Sequence, residues 1–426
     1  MNLNGSGSLG MPPGKYGNKM NCRFCDVELS TIFVSLGMSP LANAYLSKDQ
    51  LDVKEPFYPL DVYVCHKCFL VQLSEFESPE NIFSDYAYFS SYSVTWLKHT
   101  KTYADKIAKE FGLNKNSFVV EVASNDGCLL QNFVSKNIPV LGIEPARNVA
   151  EIARKKDIPT ETSFFGVVTA KRLSLEGKRA DLLLGNNVFA HVPDINDFVK
   201  GLKILLKPSG VITMEFPHLM KLINENQFDT IYHEHFSYFS LITAEKILNT
   251  HGLELFDIEE LPTHGGSLRI YAKHKEDATK AVLESVAALR NKEIKAGYSD
   301  IKHYAGFKDR VSTLKKEIDK FLKALRSESK AIVGYGAPAK GNTLLNYCGI
   351  GVDSIPYTVD KNPYKQGRFL PGSHIPIESP DKIKETKPDY VLILPWNIKE
   401  EIMEQMSFIR DWGGRFATFI PKVEVC

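Results

Sequence analysis

The middle of the chain alternates short apolar runs with amphipathic stretches. Four runs have the length and composition of buried strands: SFVVEVAS from Ser117, PVLGIEP from Pro139, ADLLLGNNVFAH from Ala180 and GVITMEFP from Gly210. The intervening stretches CLLQNFVSK and NVAEIARKK carry apolar residues at helical spacing. Strands alternating with helices predict an α/β fold with a central, doubly wound parallel sheet.

Different patterns follow this central region. The segment LELFDIEELPTHGGSLRIYAKHK from Leu253 alternates polar and apolar residues, which predicts an antiparallel hairpin closing the sheet. A charged region over 278–329 is predicted to be helical. A second α/β unit begins with KAIVGYGAPAKGNTLLNYCGI at Lys330, and its further strands are predicted at SIPYTVD from Ser354 and DYVLILPW from Asp389.

Two CxxC pairs near the start of the chain predict a zinc site. Cys22 and Cys25 form the first pair, and Cys65 and Cys68 form the second. A CxxC turn presents two thiolates to one metal, and tetrahedral Zn²⁺ takes four such ligands. Surface turns or two disulfides are the alternatives, but disulfide frameworks are typical of short secreted chains. His66 is a conceivable substitute ligand, although a solvated position in the turn is the simpler expectation.

Composition narrows the function classes. Lys plus Arg number 52 and Asp plus Glu number 51, so no general basic field points to nucleic acid as a partner. No stretch reaches the roughly 18 apolar residues of a membrane span. The Gly-rich, polar start lacks the apolar core of a secretory signal. We therefore expect a cytoplasmic protein that binds neither nucleic acid nor membrane.

The first α/β unit has the layout of a nucleotide-cofactor site. A strand leads into a small-residue turn at 123–127 and then a helix, whose N-terminus favours an anionic ligand. Glu144 ends the next strand, where a carboxylate can accept hydrogen bonds from both hydroxyls of a ribose. NAD and S-adenosylmethionine (SAM) both suit this layout, but the turn lacks GxGxxG and Glu121 lies inside the strand, which favours SAM. The predicted cofactor-binding residues are Glu121, Ser124, Asn125, Gly127, Glu144 and Asn187.

Several longer segments resemble one enzyme family. They are YFSSYS, SNDGCLLQNF, GIEPARNVAEIA, NNVFAHVPD, YHEHFSYFS and GYGAPAKGNTLLNYCGI, and they follow the paired CxxC turns in order. The chain thereby resembles the SAM-dependent C-methyltransferases that act on nucleotide-linked 4-keto-6-deoxyhexoses. The resemblance implies an N-terminal zinc module, a central SAM-binding domain and a C-terminal Rossmann-like domain that holds the nucleotide sugar. It also implies reaction-site residues, namely His191, Tyr232, Glu234, His235 and either Tyr86 or Tyr88.

These residue types suit carbon methylation. The ring carbon beside a ketone must lose its proton, and the ketone oxygen must be stabilised as an enolate. A histidine is a suitable base near neutral pH, and we assign that role to His235. Tyr232 or His191 would donate a hydrogen bond to the enolate oxygen, and Glu234 would orient an imidazole or bind a sugar hydroxyl.

The two histidine segments could also serve roles outside catalysis. His191 precedes Val-Pro and could simply cap a turn. YHEH could instead bind a second metal, because His233 and His235 would share one face of an extended strand.

The C-terminal turn GYGAPAKG follows a strand and opens a helix, so its backbone N–H groups can bind a phosphate. It does not match a Walker A loop. We interpret it as the diphosphate site of a nucleotide sugar, and a tight strand-to-helix turn is the alternative. The predicted substrate-binding residues are Gly334, Gly336, Lys340, Gly341 and, for the ribose, Asp360.

Together these patterns divide the chain into five segments. We expect a mobile tail over 1–20, a zinc-binding module over 21–80, a SAM-dependent methyltransferase domain over 81–277, a helical connector over 278–329 and a Rossmann-like nucleotide-sugar-binding domain over 330–426. The expected enzyme is a C-methyltransferase and a monomer or weak homo-oligomer. Alternatives are a sugar O-methyltransferase, a dehydrogenase using the C-terminal domain, and a non-catalytic sugar-nucleotide-binding protein.

Overall fold

The structure is a computed structural model that describes residues 20–78, 90–92 and 94–426. The tail predicted over 1–20 lies, apart from its last residue, outside the described residues, as do Tyr86 and Tyr88. The strands are β1 Thr31–Ser39, β2 Tyr58–Val64, β3 Val71–Leu73, β4 Val119–Val122, β5 Val140–Ile143, β6 Thr160–Glu161, β7 Ala180–Asn186, β8 Leu206–Pro217, β9 Ser237–Tyr238, β10 Leu253–Leu261, β11 Ser267–His274, β12 Ile332–Tyr335, β13 Thr358–Val359, β14 Ile377–Glu378, β15 Tyr390–Ile393, β16 Arg415–Thr418 and β17 Glu424–Val425.

Helices connect most of these strands. They are α1 Val94–Glu110, α2 Gln131–Val134, α3 Arg147–Lys155, α4 Val167–Leu175, α5 Ile195–Leu205, α6 Leu219–Asn224, α7 Leu241–Thr250, α8 Glu284–Ala296, α9 Ile301–Tyr304, α10 Phe307–Ser327, α11 Ala339–Cys348, α12 Lys382–Thr386 and α13 Lys399–Gln405. The region predicted to be helical over 278–329 thus forms α8, α9 and α10. No helix in the described ranges has the length and apolar character needed to cross a membrane.

The central sheet has the order β10-β11-β8-β7-β4-β5-β6 among the described strands. The strands from β8 to β6 are parallel, and β11 pairs antiparallel with both β8 and β10. All four residues of β4 are buried, as expected for a parallel strand covered on both faces. The predicted α/β sheet and closing hairpin are therefore confirmed. The chain order reverses beside β4, which is where such sheets bind ligands.

The N-terminal sheet is antiparallel and has the order β1-β2-β3-β9. Its first three strands lie around the CxxC pairs, and β2 alternates buried and half-buried residues. The fourth strand, β9, comes from the segment immediately after YHEH, and its Tyr238 pairs with Val71 of β3. This sheet was not predicted from the sequence. Backbone hydrogen bonds therefore join the zinc module directly to the histidine-rich segment.

The C-terminal sheet has the order β14-β13-β12-β15-β16-β17, and it is parallel except for β17. A hydrophobic core joins this sheet to the N-terminal one. Phe33 of β1 stacks on Phe307 of α10 at a centroid distance of 4.6 Å, and Leu345 of α11 and Leu392 of β15 belong to the same core. The zinc module is thus packed against the C-terminal sheet.

Candidate active site

The four cysteines of the CxxC pairs converge on one point. Their Sγ atoms all lie within 4.8 Å of one another, and two pairs, Cys22 with Cys68 and Cys25 with Cys65, are 3.5 Å apart. All four are free thiols rather than disulfides. A tetrahedral zinc with Zn–S bonds of about 2.3 Å needs sulfur atoms about 3.8 Å apart. The cluster therefore fits a closed structural zinc site, and the exposed His66 is not part of it.

The first CxxC turn contacts both histidine segments. Gln72 donates from Nε2 to Cys22 Sγ at 3.2 Å and accepts from the backbone N–H of Arg23 at 2.9 Å. The Arg23 guanidinium donates to the carbonyl of Pro193 at 2.7 Å and lies 5.4 Å from the centre of the Phe236 ring. Pro193 follows His191 by two residues and Phe236 follows His235 directly. The zinc module therefore supports the backbone beside both imidazoles.

A cavity of about 380 Å³ lies at the carboxyl ends of β4, β5 and β7. Three of the predicted cofactor-binding residues line this cavity: Asn125, Glu144 and Asn187. The other three are buried and do not line it: Glu121, Ser124 and Gly127. Four aromatic side chains also line it: Trp96, Phe164, Phe165 and Phe198. The cavity thus combines a polar end with apolar faces, as a nucleoside requires.

Glu144 is held in place by the turns around it. Its Oε2 accepts the backbone N–H of Asn125 at 2.9 Å, and its Oε1 accepts that of Ala146 at 2.9 Å. Burial raises the pKa of Glu144, and these two hydrogen bonds oppose that rise. Each carboxylate oxygen has a further lone pair for a ligand hydroxyl. Asn125 and Asn187 adopt φ values of +51° and +56°, a strained conformation that is concentrated at functional sites.

Buried acids lie next to the cavity. The pKa of Glu121 is raised well above its usual range by burial and by the nearby charges of Glu144 and Asp126. Lys156 pairs with Asp126 at 3.2 Å. The raised pKa favours the protonated, neutral form of the Glu121 carboxyl beside the cavity.

Two histidines and a tyrosine meet beyond the polar end of the cavity. His191 lines the cavity, and its ring centroid lies 4.7 Å from that of His235. The Tyr232 ring lies 4.0 Å from the His235 ring, and His235 Nδ1 is 2.8 Å from the carbonyl oxygen of Thr230. Burial lowers the pKa of His191 to about 4, and burial together with His191 lowers that of His235 well below its usual range. Both rings are therefore neutral near pH 7.

The YHEH segment is a turn, so the predicted sharing of one strand face by His233 and His235 is wrong. The N–H of His235 bonds to the carbonyl of Tyr232 at 2.9 Å, which closes the turn and makes the two rings diverge. His233 Nε2 instead donates to the carbonyl of Pro59 at 3.1 Å, beside the Tyr58 ring. Among the described residues, the group of side chains able to hold a metal is the four-cysteine cluster.

The Glu234 side chain contacts the zinc module. Its Oε2 accepts from Asn43 Nδ2 at 2.8 Å. Burial raises the pKa of Glu234 to about 7, and the bond from Asn43 opposes that rise. Asn43 was not predicted as a site residue, because nothing in the local sequence pattern marks a contact with a residue 191 positions away.

His264 is a third imidazole in this region that the sequence analysis missed. Its Nε2 lies 3.1 Å from Asn187 Nδ2, and its ring lies 5.3 Å from that of Trp96. It adopts a φ of +55° between β10 and β11, and burial lowers its pKa to about 4. The motif THGG could have marked it, but we assigned that motif only to the hairpin turn.

The C-terminal sheet repeats the carboxylate arrangement of the central sheet. Asp360, which follows β13, accepts the backbone N–H of Ala337 at 2.8 Å through Oδ2 and that of Asn362 at 2.8 Å through Oδ1. Glu144 likewise accepts two backbone N–H groups. One belongs to Asn125, in the turn after the neighbouring strand β4, and the other to Ala146, two residues after Glu144 itself. The second sheet therefore has the same carboxylate-and-turn geometry as the first.

The predicted glycines of the C-terminal turn lie where β12 meets α11. A Cβ added at Gly334 would lie 2.6 Å from Thr358 Oγ1, and one at Gly341 would lie 2.9 Å from Leu394 Cβ. Gly336 has a φ of +89°. Close packing accounts for glycine at positions 334 and 341, and the left-handed backbone favours glycine at position 336. The turn leads directly to the N-terminus of the helix.

Lys340 lies in a buried polar group beside this turn. Its Nζ donates to Asn397 Oδ1 at 2.8 Å and lies 4.7 Å from the centre of the Trp396 ring. The Trp396 indole donates in turn to Asp229 Oδ2 at 2.6 Å. Burial lowers the pKa of Lys340, and the charge of Lys340 contributes to the lowered pKa of His235. The charge of Lys340 therefore acts on His235.

Family models match three successive parts of the chain. Residues 22–83 match a zinc binding domain, residues 96–258 a methyltransferase domain, and residues 262–421 a C-methyltransferase C-terminal domain.

Individual proteins match to different extents. C-methyltransferase NovU from Streptomyces niveus is 35% identical over 404 residues, which are 95% of this chain and 96% of NovU. The ubiquinone biosynthesis O-methyltransferase of Bartonella tribocorum is 25% identical over 116 residues, 25% of this chain and 47% of that protein. A SAM-dependent methyltransferase structure from Clostridium acetobutylicum aligns with a TM-score of 0.34 and 13% identity, covering 42% of this chain and 92% of that one.

Proposed function

The chain belongs to the SAM-dependent C-methyltransferases, and from this premise we propose that it methylates the ring carbon beside the ketone of a nucleotide-linked 4-keto-6-deoxy sugar. It binds SAM on the central sheet and a structural zinc through its four cysteines. Bound SAM supplies an electrophilic methyl group. Asn125, Glu144 and Asn187 would hold it, with Glu144 accepting the ribose hydroxyls.

The contact between His235 Nδ1 and the Thr230 carbonyl is the observation that carries the proposed chemistry. The His235 Nδ1–H donates to the Thr230 carbonyl at 2.8 Å, which leaves a lone pair on Nε2. That nitrogen removes the proton beside the ketone, and the C–H electron pair becomes the enolate. The enolate carbon is then the nucleophile for the methyl group that bound SAM would supply, with S-adenosylhomocysteine as the leaving group. A general base of this kind contributes a factor of about 10² to 10⁴ in rate.

A positive charge on His235 is costly in the substrate-free site, because the site is buried and Lys340 lies nearby. The anionic diphosphate and the developing enolate would each offset that cost. The pKa of His235 therefore rises when substrate binds, which makes the imidazole a stronger base where the proton is transferred.

The neighbouring side chains have supporting roles in this proposal. Tyr232 or His191, whose rings lie 4.0 Å and 4.7 Å from His235, would donate to the enolate oxygen. Glu234 would bind a sugar hydroxyl. Tyr86 and Tyr88 remain predictions that rest on the family resemblance alone.

The C-terminal turn would bind the nucleotide. Asp360 would accept ribose hydroxyls as Glu144 does, since the two carboxylates have matching backbone contacts. Backbone N–H groups at the start of α11 would bind the diphosphate, and Lys340 would add a positive charge.

Hydrogen exchange tests this proposal without methyl transfer. The protein is incubated in D₂O with thymidine, uridine, guanosine and cytidine diphosphate-linked 4-keto-6-deoxyhexoses, without SAM, and exchange beside the ketone is followed by NMR. We expect exchange with at least one of them, and its loss in His235→Ala while SAM still binds. Binding of a keto sugar without exchange would refute the enolate mechanism, and unchanged exchange in His235→Ala would refute the base assignment.

A further inference from the structure

The loop between β1 and β2 connects the reaction site to the C-terminal turn. At one end, Asn43 Nδ2 donates to Glu234 Oε2 at 2.8 Å. At the other end, the Tyr45 hydroxyl donates to the carbonyl of Ala337 at 2.6 Å. Leu46 and Phe369 exchange backbone hydrogen bonds of 3.0 Å and 2.9 Å, which fix this loop to the C-terminal domain. The zinc module therefore contacts both sites at once.

The contacts follow one another from Asp360 to Glu234, with Tyr45 and Asn43 between them. Asp360 accepts the N–H of Ala337 at 2.8 Å, and the Ala337 carbonyl accepts from Tyr45. The Tyr45 oxygen also lies 3.3 Å from Asn43 Oδ1, and Asn43 bonds to Glu234. Tyr45 and Glu234 are both buried, at 7% and 3% exposure. Buried bonds in series polarise and position one another.

Tyr45 has one proton and two neighbouring acceptors. The shorter distance favours the Ala337 carbonyl over Asn43 Oδ1, at 2.6 Å against 3.3 Å. Lys365 Nζ also donates to the Ala337 carbonyl, at 2.9 Å, and lies 3.9 Å from Asp360. A ligand that binds to the turn, to Asp360 or to Lys365 therefore changes which acceptor receives the Tyr45 proton. The position of the Asn43 amide changes with it.

We propose that Asn43 and Tyr45 are positioning residues that couple occupancy of the C-terminal nucleotide site to the placement of Glu234 at the reaction site. This inference rests on the proposed function. Its physical basis is that binding energy from a remote part of a substrate can be used to organise the reacting centre, so that truncated substrates lose kcat as well as affinity. The nucleotide would thus accelerate a reaction that takes place on the sugar.

The test compares two substrates in the full-length protein. One is the nucleotide-linked keto sugar that the parent protein turns over fastest, and the other is the same keto sugar as its 1-phosphate. The parent should show a higher kcat with the nucleotide. Tyr45→Phe should lose about ten-fold of that kcat advantage, the value of one hydrogen bond of about 1.4 kcal/mol. It should keep its SAM affinity and its kcat for the sugar 1-phosphate. Tyr63→Phe, a half-buried tyrosine of the same module, is the matched control.

Asn43→Leu provides a second readout. Because the Asn43 bond lowers the pKa of Glu234, its loss should move the kcat limb that reports Glu234 to higher pH. The inference is wrong if Tyr45→Phe keeps the parent's ratio of kcat for the nucleotide-linked sugar to kcat for the sugar 1-phosphate. That ratio would also be unchanged if the variant lost both kcat values equally. A parent protein that turns over no nucleotide-linked keto sugar would instead refute the proposed function, and the coupling with it.

Discussion

Glu234→Gln should gain stability relative to the parent protein as the pH rises. Glu234 is 3% exposed, and burial raises its pKa from 4.5 to about 7. Gln is nearly isosteric and keeps an oxygen to accept from Asn43. In the parent protein, the stability associated with the protonated carboxyl is fully present below pH 4.5. It is lost as the pH rises to about 7, because the unfolded chain ionises before the folded one.

The size of the effect follows from the two pKa values. A difference of one pKa unit corresponds to about 1.4 kcal/mol, so the whole shift corresponds to about 3.4 kcal/mol of unfolding free energy. Part of this loss has already occurred at pH 5, and the change between pH 5 and pH 8 is about 2.5 kcal/mol. Other buried acids such as Asp229 are present in both proteins, so their contributions cancel in the comparison.

Urea unfolding followed by circular dichroism at pH 5, 6, 7 and 8 measures this difference. The stability of Glu234→Gln relative to the parent should increase steadily across the series by about 2.5 kcal/mol. Glu276→Gln is the matched control, because Glu276 is exposed and its pKa is lowered rather than raised. A relative stability of Glu234→Gln that is constant from pH 5 to pH 8, or that decreases, would refute the burial argument.

Two further predictions concern the metal and the cofactor. Elemental analysis of the purified protein should find one zinc per chain. Cys65→Ser should lose the metal and, in melting curves, most of its thermal stability. Full zinc content in that variant would contradict a four-cysteine site. Glu144→Ala should weaken SAM binding by about ten- to a hundred-fold in calorimetry, since it removes a hydrogen-bond acceptor worth about 1.5–3 kcal/mol and the contact that holds the turn at Asn125. Unchanged affinity there would exclude Glu144 from the cofactor site.

The parts of the fold that were predictable have strong local signals. The residues of β4 and β5 are entirely buried, and all of them except Glu121 are apolar or glycine. The CxxC spacing indicates a metal. The second sheet was equally visible from the strand and turn at Lys330. These features depend on the residues near them in sequence, which is why the sequence was sufficient.

The features that were missed depend on distant contacts. Strand β9 has two residues and no alternation of its own, and it forms because β3 offers a free edge. Tyr45 and Asn43 matter because they touch residues 292 and 191 positions away. The geometry of YHEH was predicted wrongly, because one backbone hydrogen bond converts an apparent strand into a turn.

Carbon methylation next to a ketone is the central claim, and the position of the transferred methyl group tests it most directly. The protein is incubated with SAM carrying a ¹³C-labelled methyl group and the nucleotide-linked keto sugar that supports hydrogen exchange. The product is examined by carbon–proton correlation NMR. We predict a methyl group bonded to the ring carbon adjacent to the ketone. A methyl group bonded to a sugar oxygen, or at a carbon distant from the ketone, would contradict the enolate mechanism.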